Sequence, residues 1–326
     1  MSKFNFFFTA FMCAVSLMTG CQKNDSDAAL SDKKVRLEIT VPVAETKVVT
    51  GVNETAIKNY QVFLFNDKDV LEAYVSQATP DISLDCTLGE KTVVVLTNAP
   101  AVNDATTLAS LQSKASTLSD NSADAFVMEG LVEVAIETTE DVNIVVPVVR
   151  QVAKIELVNV TTDFELPEYE ATPFSISAVY LINVPADKKY FGAEAPEIWF
   201  NKSAYDPGDD NSLIYDDMND VAVTAGAQYS TRNALYCYPN PTQEDAFETP
   251  WTARHTRLVV ETVLGDETYY YPVTMPVIQQ NKKYEVSLTI TRPGSYSPDT
   301  VVDKFAADFA VTVKDWEVGA SVSEEI

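Results

Sequence analysis

Residues 35–41 read VRLEITV, so that apolar side chains alternate with charged or polar ones. This period of two is typical of a β-strand with one buried face and one solvent-exposed face. The same alternation recurs at residues 82–88 (ISLDCTL) and 132–136 (VEVAI). Residues 92–97 (TVVVLT) are more continuously apolar, as in strands covered on both faces. These stretches predict a chain built mainly from β-strands.

Further strands and a single helix complete the predicted organisation. Four apolar side chains share one helical face between a candidate N-cap, Asp104, and a stop at Asp120: Leu108, Leu111, Ala115 and Leu118. Gly265-Asp266-Glu267 predicts a hairpin turn. The remaining strands are predicted at residues 60–65, 145–149, 155–160, 174–184, 258–264, 269–275 and 284–291.

The 326 residues, of which 46% are hydrophobic, suffice for two domains of ordinary size. One helix among many strands indicates a sandwich or barrel architecture. We place an N-terminal β domain with the short helix at residues 48–148 and a C-terminal β domain at residues 149–326. Residues 186–228, rich in Asp, Gly, Pro and Tyr, are expected to form a long surface excursion of the second domain.

The N-terminus has the features of an exported protein. Lys3 precedes an apolar run at residues 6–18, which is too short to span a membrane but suits a secretory signal peptide. The run ends in LMTGC, which is similar to a lipobox, the site at which bacterial lipoproteins are cleaved and lipidated. We predict a signal peptide at residues 1–20 and a lipid anchor on Cys21, followed by a polar tether. The alternative is an ordinary signal peptide cut elsewhere, with Cys21 an incidental thiol.

The formal net charge of −25 bounds the possible partners. A surface this acidic repels phosphate backbones and anionic head groups, so nucleic acid is not an expected partner. Of the four cysteines, Cys13 would leave with the signal peptide. Cys86 and Cys237 lie in different predicted domains, so two buried thiols are favoured over a disulfide.

Side chains suited to catalysis or metal binding are scarce. His255 is the single histidine of the sequence and is expected at the surface. The sequence contains no serine elbow, phosphate-binding glycine loop or HExxH zinc motif. Asp206, Asp209 and Asp210 are weak candidates for a calcium site, and a solvated acidic loop is favoured. We therefore predict no enzymatic activity, no cofactor and no metal.

Three stretches of the chain resemble a known family. NKKYEVSLTITRPG at residues 281–294 is followed, after a variable loop, by FAVTVKDWEVG at residues 309–319. This ending is similar to that of the fimbrillins, the structural subunits of type V pili. VRQVAKI at residues 149–155 resembles the segment that opens their second domain. Together with the lipobox, the resemblance extends along the whole chain in order.

The resemblance implies two tandem β-sandwich-like, transthyretin-like domains and export as a lipoprotein. It also implies that a trypsin-like protease removes an N-terminal segment, here residues 21–47, which contains the tether and the first strand. Lys47 is then the candidate cleavage residue and Val48 the new N-terminus, although the family usually places arginine there. The removable strand would carry four buried side chains: Val35, Leu37, Ile39 and Val41.

A strand from the C-terminus of another subunit would fill the groove that the removed strand leaves. In the candidate donor the apolar alternation changes phase across Lys314-Asp315, which predicts a bulge or a turn there. Its candidate side chains are Phe309, Val311, Val313, Trp316 and Val318.

We therefore expect a structural subunit, most simply of the stalk, of a cell-surface pilus. Its partners would be copies of itself, other pilus subunits, the processing protease and, before processing, the lipid anchor in the outer membrane. One alternative is a surface lipoprotein that binds glycans through tyrosines and Trp199, Trp251 and Trp316. A second is a secreted hydrolase that uses a pair of carboxylates. The N-terminus of the surface protein separates the pilus subunit from the glycan-binding lipoprotein, since a stable lipoprotein begins at Cys21 and a processed subunit at Val48.

Overall fold

The computed structural model describes residues 34–42, 53–192, 194–209, 212–230, 232–302 and 306–316. Within these residues the chain forms 21 strands, two short α-helices and two single turns of 3-10 helix, which confirms the predicted mostly β fold. Strands are numbered below in chain order. No helix in the described part of the chain is long and apolar enough to cross a membrane.

All but one of the strands within residues 35–150 form two sheets that enclose a shared core made mainly of Val, Leu and Ile side chains. The first sheet contains, in spatial order, β4 (Ile82–Cys86), β1 (Val35–Thr40) and β8 (Val142–Val145). The second contains β3 (Leu71–Gln77), β2 (Tyr60–Asn66), β5 (Gly89–Thr97), β7 (Met128–Ile136) and β9 (Val149–Arg150). A sandwich buries the alternating apolar side chains of both sheets.

The predicted helix is much shorter than expected. The helix α1 covers Leu108–Gln112, and Thr107 rather than Asp104 caps it through a reciprocal hydrogen bond with Ser110. The following residues form β6 (Ala115–Thr117), which pairs with β13 (Asp187–Lys189). Ser116 of β6 is buried and hydrogen-bonds two side chains, those of Gln151 and Tyr238. Tertiary pairing therefore overrides the helical pattern at residues 115–117.

Strands between residues 153 and 315 form a second pair of sheets, which encloses the largest hydrophobic core. One sheet contains β16 (Gln228–Tyr229), β10 (Ala153–Thr162), β20 (Lys282–Ile290) and β21 (Ala307–Asp315), with β17 (Asn233–Cys237) also paired to β10. The other contains β15 (Tyr215–Ala222), β11 (Phe174–Ile182), β18 (Arg257–Leu264) and β19 (Glu267–Thr274). A small ladder joins β12 (Val184–Pro185) to β14 (Trp199–Phe200).

Two further expectations for the second half were wrong, and one was confirmed. The stretch 186–228 contains β15, which pairs with β11 inside a main sheet, so it is not only a surface excursion. A second short helix, α2 (Pro167–Glu170), lies in this half. The hairpin is present as predicted, since Leu264 pairs with Glu267 and Gly265 takes a φ of 65° that suits glycine.

Candidate functional site

β1 is the middle strand of its sheet. It pairs antiparallel with β4, from Val35 opposite Cys86 to Ile39 opposite Ile82, and it pairs parallel with β8 on its other side. Because β4 and β8 are the outer strands of this sheet, each pairs with β1 alone among the described strands. Removal of β1 would leave a groove bordered by two rows of unpaired backbone groups, which are costly to bury and prone to pair with another strand.

The apolar side chains of β1, together with the residue that follows it, lie in the core between the two sheets. The exposed fractions of Val35, Leu37, Ile39 and Val41 are 1%, 0%, 3% and 5%. Burial of a side chain of this size contributes about 1.5 to 3 kcal/mol, so the four together contribute roughly 6 to 12 kcal/mol of gross transfer free energy. A strand that replaced β1 would have to supply apolar side chains at the same two-residue spacing.

The cores inside the two pairs of sheets each contain one free thiol. Cys86 is 1% exposed, packs in the core that β1 completes, and has its pKa raised chiefly by burial. Cys237 lies in the second core, where burial raises its pKa to about 12. The expectation of two separate buried thiols is confirmed. Both are neutral at ordinary pH and shielded from reagents.

β21, by contrast, is an edge strand. It pairs antiparallel with β20 and, within the described residues, with no other strand. Phe309 and Val313 are 44% and 50% exposed, and Val311 is half-buried. These three lie opposite buried residues of β20 and so on the core side of the sheet, but the core covers them only in part. These three candidate donor side chains therefore contribute little to the core beside them.

Ion pairs reinforce the pairing of β20 with β21. Lys314 lies 2.5 Å from Glu285, and Lys282 forms an ion pair with Asp315. The ammonium groups of Lys314 and Lys283 lower the pKa of Glu285 to about 2. The two lysines keep this carboxylate ionised under all but strongly acidic conditions.

The predicted bulge or turn at Lys314-Asp315 was wrong. The pairing runs without a register shift from Ala307 to Asp315. The change of phase arises because the strand ends at Asp315 and the next side chain, that of Trp316, turns inward and is only 6% exposed. The backbone N–H of Trp316 donates to the carbonyl oxygen of Asn281 at 3.2 Å.

Trp316 occupies a socket where the two pairs of sheets meet. Its ring packs against Phe126 and Tyr236, with centroid separations of 5.4 and 5.7 Å. The guanidinium carbon of Arg150 lies 4.3 Å from the ring centroid, in cation–π geometry. The indole Nε1 donates to Oε2 of Glu54 at 3.1 Å.

Glu54 holds this socket together from the N-terminal side. Its Oε1 accepts hydrogen bonds from Lys154 Nζ at 2.8 Å and from the Tyr236 hydroxyl at 2.7 Å. Burial alone would raise the pKa of Glu54, but the hydrogen bonds from Lys154, Tyr236 and Trp316 outweigh it and lower that pKa. The sequence analysis missed Glu54 and Arg150; the one available signal was an arginine that directly follows the apolar residues 144–149.

Several predicted site residues lie outside the described part of the chain: Cys21, Lys47, Val48, Val318 and Asp210. Lipidation at Cys21 and cleavage after Lys47 therefore stay predictions.

The remaining acidic-loop candidates bind backbone groups. The Asp206 carboxylate accepts the N–H of Gly208 at 2.8 Å, and that of Asp209 accepts the N–H of Asn201 at 2.8 Å. In the described ranges no group of three or more His, Cys, Asp or Glu side chains is placed to hold a metal ion. The arrangement is that of carboxylates that order a loop.

The expectation of a surface histidine was wrong. The His255 side chain is 20% exposed, and its Nδ1 lies 2.8 Å from Asp245. Asp245 also pairs with Arg257, which in turn pairs with Asp299, so His255 belongs to a largely buried ion cluster.

The three tryptophans occupy two separate places. Trp199 and Trp251 meet edge to face, with ring centroids 5.3 Å apart. Trp316 lies in the socket described above, packed against Phe126 and Tyr236. They therefore do not form one common aromatic surface.

Part of the chain matches a family model. Residues 35–162 match the model of the major fimbrial subunit protein (FimA). No curated protein matches the chain significantly.

Solved structures match most of the chain. A fimbrilin from Porphyromonas gingivalis has a TM-score of 0.63 at 15% identity, over 88% of this chain and 99% of that one. A candidate cell adhesion protein from Parabacteroides distasonis has a TM-score of 0.64 at 19% identity, over 88% of this chain and 98% of its own. One from Bacteroides eggerthii has the same score and identity over 87% and 96%. At these identities the likeness shows the fold, and with the family match it confirms the predicted resemblance.

Proposed function

We propose that this chain, which has the fold of the fimbrillins and matches the FimA family over residues 35–162, is a structural subunit of a cell-surface pilus. In this proposal it is exported as a lipoprotein through Cys21, processed after Lys47 and polymerised by strand exchange as part of the stalk. The single observation that carries the proposal is the central position of β1 between β4 and β8.

The topology of β1 supports its replacement by another strand. β1 precedes all other described strands and is joined to β2 by residues 41–59, so one cut in that connection separates it from the rest of the fold. Lys47 lies in this connection. Once β1 leaves, the exposed apolar core and the unpaired edges of β4 and β8 favour an incoming strand of similar pattern.

The position of β21 supports its role as the donor. An edge strand with one neighbour can leave its sheet without breaking a second ladder. The position of β21 at the edge of its sheet leaves Phe309 and Val313 half exposed, which suits side chains that become fully buried only in another subunit. The net charge of −25 keeps unprocessed copies apart in solution.

The N-terminus of the protein recovered from the cell surface tests processing. We expect assembled subunits to begin at Val48, and Lys47→Ala to retain residues 21–47 and stay out of the polymer. Lys58→Ala is the matched control, because the Lys58 side chain is 55% exposed and pairs only with a surface carboxylate, Asp124. Assembled subunits that begin at Cys21 would contradict removal of β1, and normal processing of the Lys47 variant would move the cut elsewhere.

Membrane retention of the precursor tests export as a lipoprotein. Cys21→Ser is expected to leave the precursor unlipidated and absent from the membrane fraction, since an acidic surface offers no other anchor. Cys13→Ser, inside the predicted signal peptide, serves as the control. Normal retention of the Cys21 variant would rule out the lipid anchor.

A further inference from the structure

The last described residue of the chain, Trp316, contacts two residues from distant parts of the sequence, Glu54 and Arg150. Glu54 lies in the connection that contains Lys47, and Arg150 lies where the chain passes from one pair of sheets to the other. We propose that Trp316 is a latch that holds the C-terminal strand β21 against its own subunit, with Glu54 and Arg150 as the other half of the latch.

β21 depends on its ends for attachment, because its middle is poorly covered. Of its nine residues only Ala307, at the start, is buried, and of the last six five are exposed and Val311 is half-buried. Trp316, directly after the strand, is the first side chain beyond Ala307 to be buried again. The latch therefore lies at the point where the strand would begin to peel from β20.

The residues that surround Trp316 favour an aromatic side chain that stays in place in the monomer. Arg150 is 1% exposed, and its hydrogen bonds go to neutral acceptors, the carbonyl oxygen of Glu54 and the side-chain amide of Asn281. The face of Trp316 covers this buried guanidinium, and such an attraction is strongest where water is excluded. Departure of Trp316 would expose the cation and leave the Glu54 carboxylate with one hydrogen bond fewer.

The latch connects the two ends of the subunit that strand exchange would use. Glu54 and Trp316 are 262 positions apart in the sequence, and the hydrogen bond between them joins the segment after the first strand to the end of the last one. The latch is a property of the monomer and is measurable there. Its role in delaying release of β21 before assembly rests on the proposed function.

Hydrogen exchange of the full-length precursor tests the latch directly. Trp316→Ala is expected to accelerate amide exchange in residues 307–315 by about tenfold or more, while residues 153–162 of the central strand β10 keep their protection. Trp199→Ala is the matched control, because Trp199 is a half-buried tryptophan of the same half of the chain that packs against Trp251. It should leave residues 307–315 unchanged.

Milder variants separate the hydrogen bond from the packing. Trp316→Phe keeps an aromatic ring but loses the donor, and Glu54→Gln keeps the acceptor but loses the charge. Each is expected to accelerate exchange in residues 307–315 by a few-fold. The acceleration in the double variant should be smaller than the product of the two single accelerations, because both substitutions act on one interaction.

Unchanged exchange at residues 307–315 in Trp316→Ala would overturn the latch, whatever the protein does in assembly. If Trp316→Ala loses exchange protection in the whole protein, Trp316→Phe is the deciding variant. Acceleration confined to residues 307–315 in Trp316→Phe would support the latch, and the absence of such acceleration would overturn the latch. Failure of the proposed function would look different: a normal latch in the precursor together with a surface protein that still begins at Cys21.

Discussion

The first and last described strands share an alternating apolar pattern but occupy opposite positions in their sheets. β1 and β21 both alternate apolar with polar side chains. β1 lies between two partners with Val35, Leu37 and Ile39 at most 3% exposed, whereas β21 has one partner and leaves Val313 50% exposed. Alternation thus predicts that a strand has an apolar face, and sheet topology decides whether anything covers that face.

The two strands are also held by different forces. Apart from its backbone pairing and an exposed hydrogen bond from Arg36 to Ser83 of β4, β1 is held by apolar burial. The ion pair of Arg36 with Glu38 lies within the strand, between side chains more than half exposed, and joins it to no neighbour. β21 is held by ion pairs such as Lys314 with Glu285 and by the buried ring of Trp316. The apolar burial of β1 is lost in one step when that strand leaves the core, whereas the contacts of the edge strand β21 can be lost one by one.

Truncation before Asp308 should have the largest effect on assembly. It removes β21 beyond Ala307 together with Trp316, so we expect polymerisation to be abolished while a folded, secreted monomer remains, because most of β21 is exposed. Deletion of residues 320–326 alone is the control and is expected to be mild. A polymer assay beside thermal unfolding measures both effects. Loss of folding together with loss of assembly would assign β21 to the core of its own domain.

Matched truncations of one side chain in each strand compare their contributions to stability. Leu37→Ala should lower the free energy of unfolding by about 2 to 5 kcal/mol, because the site is fully enclosed. Val313→Ala should lower it by about 0.5 kcal/mol or less, since the side chain is half exposed. Urea unfolding of the precursor measures both values. Equal values for the two variants would remove the contrast between the strands.

The two buried thiols report whether β1 can leave. Mild trypsin treatment is expected to cut within residues 45–51, and Cys86, opposite Val35, should then react with a maleimide at least about tenfold faster than before the cut. Cys237 lies in the other core and is the internal control, expected to stay unreactive. Labelling is quantified by peptide mass in subdenaturing urea. Equal labelling of both thiols would indicate general unfolding rather than departure of β1.

Acid should loosen β21 before β1. The pKa of Glu285 is lowered to about 2 from an ordinary value of 4.5, so its pairing stabilises the fold fully above about pH 4.5 and is lost as the pH falls toward 2. Pepsin cleavage near Phe309 should therefore increase over this range more than cleavage within β1. Glu285→Gln should show a weaker pH dependence of cleavage at Phe309. An unchanged pH dependence in this variant would assign the effect to other carboxylates.

Local sequence carries much of the architecture. β2, β5, β10, β18 and β20 lie within a few residues of their predicted positions, and the hairpin at Gly265 is where the turn residues place it. These elements depend on side-chain period and turn chemistry, which are local properties. Residues 115–117 show the limit of local sequence, because they pair with β13, about seventy positions further along the chain, instead of continuing the predicted helix.

The candidate site is likewise determined partly by local sequence and partly by tertiary contacts. The alternating residues of β1 and β21 are visible in the sequence as strands with an apolar face. That β1 is central and β21 peripheral, and that Trp316 packs on Arg150 and bonds Glu54, depends on contacts between residues up to 262 positions apart. A pattern of side chains records which face avoids water, but only the closed fold determines which other part of the chain covers that face.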